Sequence, residues 1–439
     1  MATRNLYSEC YSDISDKYAE RYSYTTFGRA ALPHLQRACS YLDSTFLAEF
    51  SVDELDRLIE TLLSASFFGD PQWKRGAITL AEELASCSKN HHLWARLALR
   101  KRCLSRLYPD QQWSKLESFK DIQDGLKAVD ARSNAFFGEL LAATTQELID
   151  RHELSEAWRE SEKFKAWNPN SPSTREQFVM DSITVLQGNI LRFQGNFLAA
   201  AECFRSLLES CANAPERSRS AMKAVPRLVG ICCELGRFSE AIHFISFELQ
   251  RSKEFDWLST GTARTQRLAL ADTHLMRALW RIRGDGVVSG IAPEAKEFLK
   301  AAKENYEQLS YLYNGRTDLG LTGARNRFSA SVGLAMISHL VDVEEIALER
   351  WSHARECAKK CIWKLDFVQM MITYSVSELK GRAGHSDESF QLARSAFEIY
   401  SRVKRQTHFT GLGTIWPDVI GDMIEHRGLR RIVPRWHFR

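Results

Sequence analysis

Two stretches of the chain carry residue types that could do chemistry. In "YNGRTDLGLTGAR", Gly315, Gly320, Leu321 and Thr322 imitate the spacing of a phosphate-binding loop. Such a loop needs a lysine before the hydroxyl residue, a strand in front, and backbone amides free to cradle phosphates. Leu321 stands at the lysine position, and "AKENYEQLSYLYN" ahead of it has helical periodicity, so nucleotide binding is not expected. His353, Cys357 and Cys361 recur every four residues, which puts all three on one face of a helix. An imidazole and two thiols suit zinc, yet no fourth ligand and no Cys-x2-Cys pair accompanies them. Packing as small apolar thiols is the expected role. Cys87, His91 and His92 form a looser group at a predicted helix end.

Other enzyme signatures are missing. No Asp-Asp-x-x-Asp occurs for magnesium and diphosphate, and helical geometry scatters Asp342, Glu344 and Glu345 around their axis. "RHELSEAW" lacks the second histidine of a zinc-protease helix, and no Gly-x-Ser-x-Gly elbow is present. No catalytic residue, metal or cofactor is assigned, and only an acid–base pair assembled from distant helices would escape this search. At the C-terminus, Arg427, Arg430, Arg431, Arg435 and Arg439 alternate with Trp436 and Phe438. Basic residues among aromatics can grip phosphates and stack on bases. The expected role here is a solvated capping tail.

Composition narrows the setting. The 439 residues, 44% apolar, can bury a large core, and the formal net charge of +4 is nearly balanced, which argues against an obligate nucleic-acid coat. No run reaches the ~18 apolar residues of a membrane-spanning helix. The polar N-terminal stretch lacks the apolar segment of a secretory signal. Ten irregularly spaced cysteines fit reduced thiols, so cytosol or nucleus is the expected location.

The elements that must position any site are helices. Ser51 and Glu54 make a capping-box signature ahead of Leu55, Leu58, Ile59, Leu62 and Leu63 at helical spacing. Asp70-Pro71 offers an N-cap with proline at the first helical position. Alternating strand patterns are absent, so an all-α fold follows. Within it, "LQGNILRFQGNFLAAAECF" and "LVGICCELGRFSEAIHFI" share a layout. Gly195 and Gly236 end a helix, Phe197 and Phe238 follow two residues later, and Ala200 and Ala241 three residues after those. Gly188 and Ala200 are small where two antiparallel helices would cross, with Phe204 filling the space between them. Gly384, Ser389, Ala393 and Ala396 repeat the layout, and Ala157 before Pro169 gives a looser copy.

This spacing resembles the tetratricopeptide repeat family, a helix–turn–helix unit with small residues at its crossing points. Residues 181–208 match well, and 224–249 and 371–400 fairly, although no unit has the full tryptophan–leucine–glycine–tyrosine string. The interval from Ala200 to Ala241 also exceeds the usual ~34 residues. The chain is similar, too, to helical arrays that follow nucleotide-switch modules in fungal and bacterial regulators, and to free-standing fungal proteins of that type. The resemblance implies stacked antiparallel helix pairs in a right-handed superhelix, an α-solenoid. The expected layout is an N-terminal arm at 1–45, helical pairs at 46–170, the repeat array at 171–403, and a capping helix with basic tail at 404–439.

In such an array the first helix of each pair lines a concave groove suited to a peptide or protein segment. Asn189 and Arg192, then Lys223 and Arg227, then Arg264, Arg267, Arg325 and Arg327 would give it a basic lining, pointing to an acidic partner. Arg192 and Arg227 are expected to be exposed, so that reversing their charge leaves the fold intact. The subfamily that captures chaperone C-terminal carboxylates uses a lysine and two asparagines. Asn189 matches one asparagine, but Val185 and Arg227 stand at the other two positions, so that ligand is not implied. The function expected is a protein-interaction scaffold. The alternatives are an accessory or catalytic protein of a fungal biosynthetic pathway, with a small-molecule pocket inside the superhelix, and a regulator contacting nucleic acid through the basic tail. Nucleic acid is the less expected partner.

Overall fold

A computed structural model describes residues 31–41, 50–66, 69–87, 90–108, 111–126, 135–167, 174–212, 218–254, 261–285, 291–314, 320–359, 366–403, 411–428 and 431–434. Among these residues every regular element is a helix and there is no strand. The helices are α1 (31–39), α2 (Val52–Ala65), α3 (Pro71–Ala85), α4 (His91–Leu107), α5 (Phe119–Leu126), α6 (Ala135–Asp150), α7 (Leu154–Glu162) and α8 (Phe164–Trp167). They continue as α9 (Thr174–Phe193), α10 (Phe197–Ala212), α11 (Ser218–Glu234), α12 (Phe238–Glu254), α13 (Gly261–Asp285) and α14 (Pro293–Tyr313). The last are α15 (Leu321–Val341), α16 (Glu344–Lys359), α17 (Asp366–Arg382), α18 (Ser386–Val403) and α19 (Leu412–His426). No described helix is long and apolar enough to cross a membrane.

Helix starts follow the local chemistry. Glu54 N–H donates to Ser51 Oγ at 3.4 Å while Ser51 N–H donates to Glu54 Oε2 at 2.9 Å, which completes the capping box of α2. Asp70 accepts from Trp73 N–H at 2.8 Å ahead of Pro71, and Asn90 accepts from Leu93 N–H at 3.2 Å at the head of α4.

Helix ends reveal a recurrence. Gly195, Gly236 and Gly384 have φ of +80°, +74° and +84°. Each lies in the same pair of closing hydrogen bonds: Asn196 N–H to Leu191 O, Arg237 N–H to Cys232 O and His385 N–H to Lys380 O, at 2.8–2.9 Å, enclose a bond of 3.0–3.2 Å from the glycine itself to the carbonyl three residues back. This is the Schellman stop, where glycine carries least steric cost. Five residues on stands a small side chain at the helix crossing: Ala200 and Ala241 are fully buried, and Ser389 donates to Ser377 O at 2.6 Å. A fourth copy has no glycine. His152 takes φ +62°, Glu153 N–H reaches Leu148 O at 2.9 Å, and Ala157 lies fully buried five residues later. The histidine of "RHELSEAW" is thus a helix stop. A left-handed non-glycine residue is strained by roughly 1 kcal/mol, so His152→Gly should stabilise the α6–α7 hairpin by up to about 1 kcal/mol, read from its denaturant midpoint.

The chain divides into two compact units: Met1–Leu186 with Glu209–Ala221, and Gln187–Leu208 with Met222–Arg439. In the first, α2, α3 and α4 pack in chain order around Ile59, Leu62, Ile78, Ala81, Leu97 and Leu104, and α6 packs on α7. The basic face of α4 is neutralised internally. Lys101 pairs with Glu82 at 2.5 Å, Arg102 with Glu147 at 2.7 Å and Arg106 with Asp150 at 2.8 Å.

In the second unit, neighbouring helices also pack in sequence, as α13 on α14, α15 on α16 and α17 on α18. The terminal helix α19 lies against α13 and α17, burying Ile415, Trp416, Val419 and Ile420. Gly188 has the role read from sequence, since a β-carbon there would come within 2.6 Å of the Phe204 ring. Ala200→Leu should therefore overpack this crossing and cost about 1–3 kcal/mol. An unchanged urea midpoint would contradict that arrangement.

Candidate functional site

The residues that the sequence assigned to a groove fall into two sets. On α9, Asn189 and Arg192 lie one turn apart; on α11, Arg227 and Glu234 lie two turns apart. Arg227 Nε donates to Asn189 Oδ1 at 3.0 Å, and its Nη1 donates to the carbonyl of Lys223, one turn earlier. Arg192 Nη2 donates to Glu234 Oε1 at 2.6 Å. The guanidinium of Arg192 reaches that carboxylate across Gly230, where a β-carbon would lie 2.6 Å from Nη2. Four side chains thus form one polar strip on two adjacent helices, with Lys223 joining through its backbone.

The strip is less open than the sequence suggested. The Arg192 side chain is only 19% exposed and its partner Glu234 is wholly buried. Arg227 is half-buried. The exposure that the sequence predicts for both is not found: Gly230 lets Arg192 lie down on α11, and Arg227 folds back onto Asn189 and the Lys223 carbonyl. Burial, and next the charge of Arg192, lower the Arg227 guanidinium to about 10, so it remains a cation at neutral pH.

Helix α13 meets α11 through Thr273. Tyr306 Oη donates to Asp272 Oδ1 at 2.5 Å, and Cys233 of α11 touches Thr273 with Sγ 3.3 Å from Oγ1. Burial pushes the Asp272 carboxyl up to about 7, against the opposing pull of the Tyr306 hydrogen bond and of Arg192.

The second set turns toward α14. The Arg264 guanidinium sits 5.3 Å over the Tyr313 ring, and Arg267 donates to Gln308. Arg267 and Gln308 edge an open depression with Glu304, Glu307, Tyr311 and Leu312. Arg325 and Arg327 are half-buried in the first two turns of α15, flanking Asn326, which donates to Thr265 Oγ1 at 3.1 Å and Tyr313 Oη at 3.2 Å. The carboxylates Glu304 and Glu307 make this region mixed in charge rather than uniformly basic.

The other chemistry-bearing residues that are described lie on other elements. Gly320 precedes α15 and the regular element before it is the helix α14, so the strand that a phosphate loop needs is not there; Gly315 to Leu319 lie outside the described residues. His353 Nε2 and Cys357 Sγ are 3.6 Å apart, and Cys361 is outside the described residues. Among the described residues no three His, Cys, Asp or Glu side chains are grouped to hold a metal. Cys87 is exposed after α3, while the His92 ring meets Phe136 edge-on at 5.6 Å. Two arginines of the C-terminal region are internal clamps rather than parts of a solvated tail. Arg427 pairs with buried Glu378 at 2.6 Å, and Arg431, 7% exposed, is held by Asp418, Asp422 and Glu425. Arg430, Arg435, Trp436, Phe438 and Arg439 are outside the described residues.

No family model matches the chain, and no curated protein matches it significantly. The site therefore rests on its own residues. Sequence reasoning missed Glu234, Asp272 and Tyr306. The available signal was a single acid inside an apolar run, in "ICCELG" and "LALADTHLM". Such a buried carboxylate needs a partner.

Proposed function

We propose that the protein is an interaction scaffold, built of tetratricopeptide-like helix pairs, that takes an acidic segment of a partner protein along α9 and α11. The Schellman stop followed five residues later by a small residue at a helix crossing supports the repeat reading, because it recurs at His152, Gly195, Gly236 and Gly384.

One observation carries the binding reading. Arg227 is a half-buried cation whose hydrogen-bond partners are neutral oxygens, the Asn189 amide and the Lys223 carbonyl. No described carboxylate pairs with it, whereas Arg192 beside it has Glu234. A partially desolvated guanidinium without a counter-charge favours an incoming carboxylate, and the planar fork fits that group. Asn189 fixes the Nε edge of the fork and leaves its own amide N–H groups as further donors.

The test is a fluorescence titration with a labelled decapeptide alternating aspartate and serine, at several salt concentrations. Wild type should bind with an affinity that falls as salt rises. Arg227→Gln should weaken binding about tenfold or more and flatten the salt dependence. Equal affinities for the two proteins would remove Arg227 from the site.

A further inference from the structure

We infer that α19 carries a seat for an arginine-bearing, aliphatic segment of a partner protein, and that the chain's own Arg431 fills it as a displaceable stand-in. The inference is independent of the acidic-segment reading on α9 and α11.

One face of α19 builds the seat. Asp418, Asp422 and Glu425 recur at i, i+4 and i+7, a spacing that a helix brings to one side. Among them lies Gly421, where a β-carbon would come within 2.5 Å of the Arg431 guanidinium. That cation therefore rests against the helix backbone. It meets Asp418 Oδ1 at 3.6 Å, Asp422, and Glu425 Oε1 at 3.1 Å. Beyond it Ile432 packs on the apolar core and Val433 is buried. The seat thus accepts a planar cation followed by two aliphatic side chains.

Arg431 fits this seat incompletely. Its side chain is almost wholly buried, yet all of its hydrogen bonds leave from Nη2, to Asp422 Oδ1, Glu425 Oε2 and the carbonyl of Asp418. Nε and Nη1 are buried without one. A guanidinium has five N–H donors, and leaving two of its nitrogens unbonded weakens the contact. An arginine arriving on another segment is free of the short tether to α19. It can turn its fork to pair two nitrogens with one carboxylate.

The stand-in can leave without unpacking the helix. Ile415, Trp416, Val419 and Ile420 of α19 are buried where that helix lies on α13 and α17. Gly428, with φ +74°, ends the helix three residues before Arg431. Arg427, on the near side of that glycine, keeps its pair with Glu378. The emptied seat would set Asp418, Asp422 and Glu425 against Arg283, which meets the first two at 3.3 and 3.6 Å. Surplus negative charge around a buried aspartate calls for a cation. A second copy of the chain brings its Arg431 already seated, so the occupant is a different protein.

The experiment uses the full chain and a fluorescent peptide with the sequence of residues 428–434, GLRRIVP. Arg431→Ala empties the seat and should bind this peptide at least about tenfold more tightly than wild type, whose tethered arginine competes. The gain should vanish when Asp422→Asn is added to Arg431→Ala, or when the peptide itself carries Arg431→Ala. It should persist when the peptide carries Arg430→Ala. Equal binding by wild type and Arg431→Ala would overturn the inference. So would loss of the near-ultraviolet circular dichroism of buried Trp416 in Arg431→Ala, which would make Arg431 a structural brace. A wild-type dimer that dissociates in Arg431→Ala would also overturn it, by giving the seat to a second copy.

Discussion

Glu378→Ala is expected to cost the second unit about 3–5 kcal/mol, seen as a lower denaturant midpoint, because it strips the counter-charge from a buried cluster. His339 and Glu378 are both fully buried, with His339 Nε2 2.9 Å from Glu378 Oε2. Trp351 Nε1 donates to His339 Nδ1 at 3.2 Å, so Nδ1 is an acceptor and the imidazole is neutral, donating to Glu378 from Nε2. The carboxylate is balanced by Arg382 at 3.0 Å and Arg427 at 2.6 Å.

Both acid and imidazole make this cluster acid-sensitive. Burial alone would raise Glu378, yet the His339 hydrogen bond and the arginine charges outweigh it and hold the carboxyl below its ordinary value of 4.5. Burial holds His339 below 6.5, against the pull of Glu378. A depressed carboxyl loses its stabilisation as pH falls below its unfolded value through its folded one, and a depressed imidazole does so from about 6.5 downward. Stability of the cluster should therefore fall on acidification. Asp272 runs in the opposite sense: its raised pKa favours the folded state at low pH, and that contribution fades as pH climbs from 3.8 through about 7. Asp272→Asn should thus raise the wild-type midpoint at pH 8 and hardly change it at pH 4.

The second large effect concerns the strip itself. Arg192→Glu is expected to destabilise the second unit by about 3–5 kcal/mol, since it would set a second carboxylate against buried Glu234. Double charge reversal at Arg192 and Arg227 is therefore unsuited to testing binding; loss of affinity would follow from loss of fold. Arg192→Glu with Glu234→Arg should recover part of the stability if the pair itself is responsible. Failure of the double swap to improve on Arg192→Glu would point to the guanidinium's packing over Gly230 instead.

Local chemistry was legible wherever one segment contained the whole device. The capping box at Ser51, the Asp70-Pro71 start, the left-handed glycines at the helix stops and the small residues five positions on need only their own neighbours to act. His152 was missed because histidine at a helix stop gives no positional signal. "VDVEEIALER" is broken at Asp342 and Val343: Asp342 is the extended C-cap of α15, accepting from Ser338 Oγ at 2.7 Å, and shares no helix axis with Glu344 and Glu345 of α16, a break that no local sequence signal marks.

The candidate site was only half legible for a related reason. Asn189, Arg192 and Arg227 were found from helical position, and Arg227 does reach Asn189. Their burial depended on which residues face them across the helix boundary. Gly230 opposite Arg192, Gly333 opposite Tyr306 and the acids Glu234 and Asp272 are long-range partners, and their effects follow only once the faces meet.

The most direct test of the scaffold reading is to map where the acidic segment lies. An aspartate–serine decapeptide bearing a central photoreactive group can be cross-linked to the full chain and the adducts located by mass spectrometry. The account predicts adducts on residues 187–193 of α9 and 223–234 of α11, reduced in Arg227→Gln. Adducts concentrated on the arginine-rich α4, or unchanged by Arg227→Gln, would contradict it.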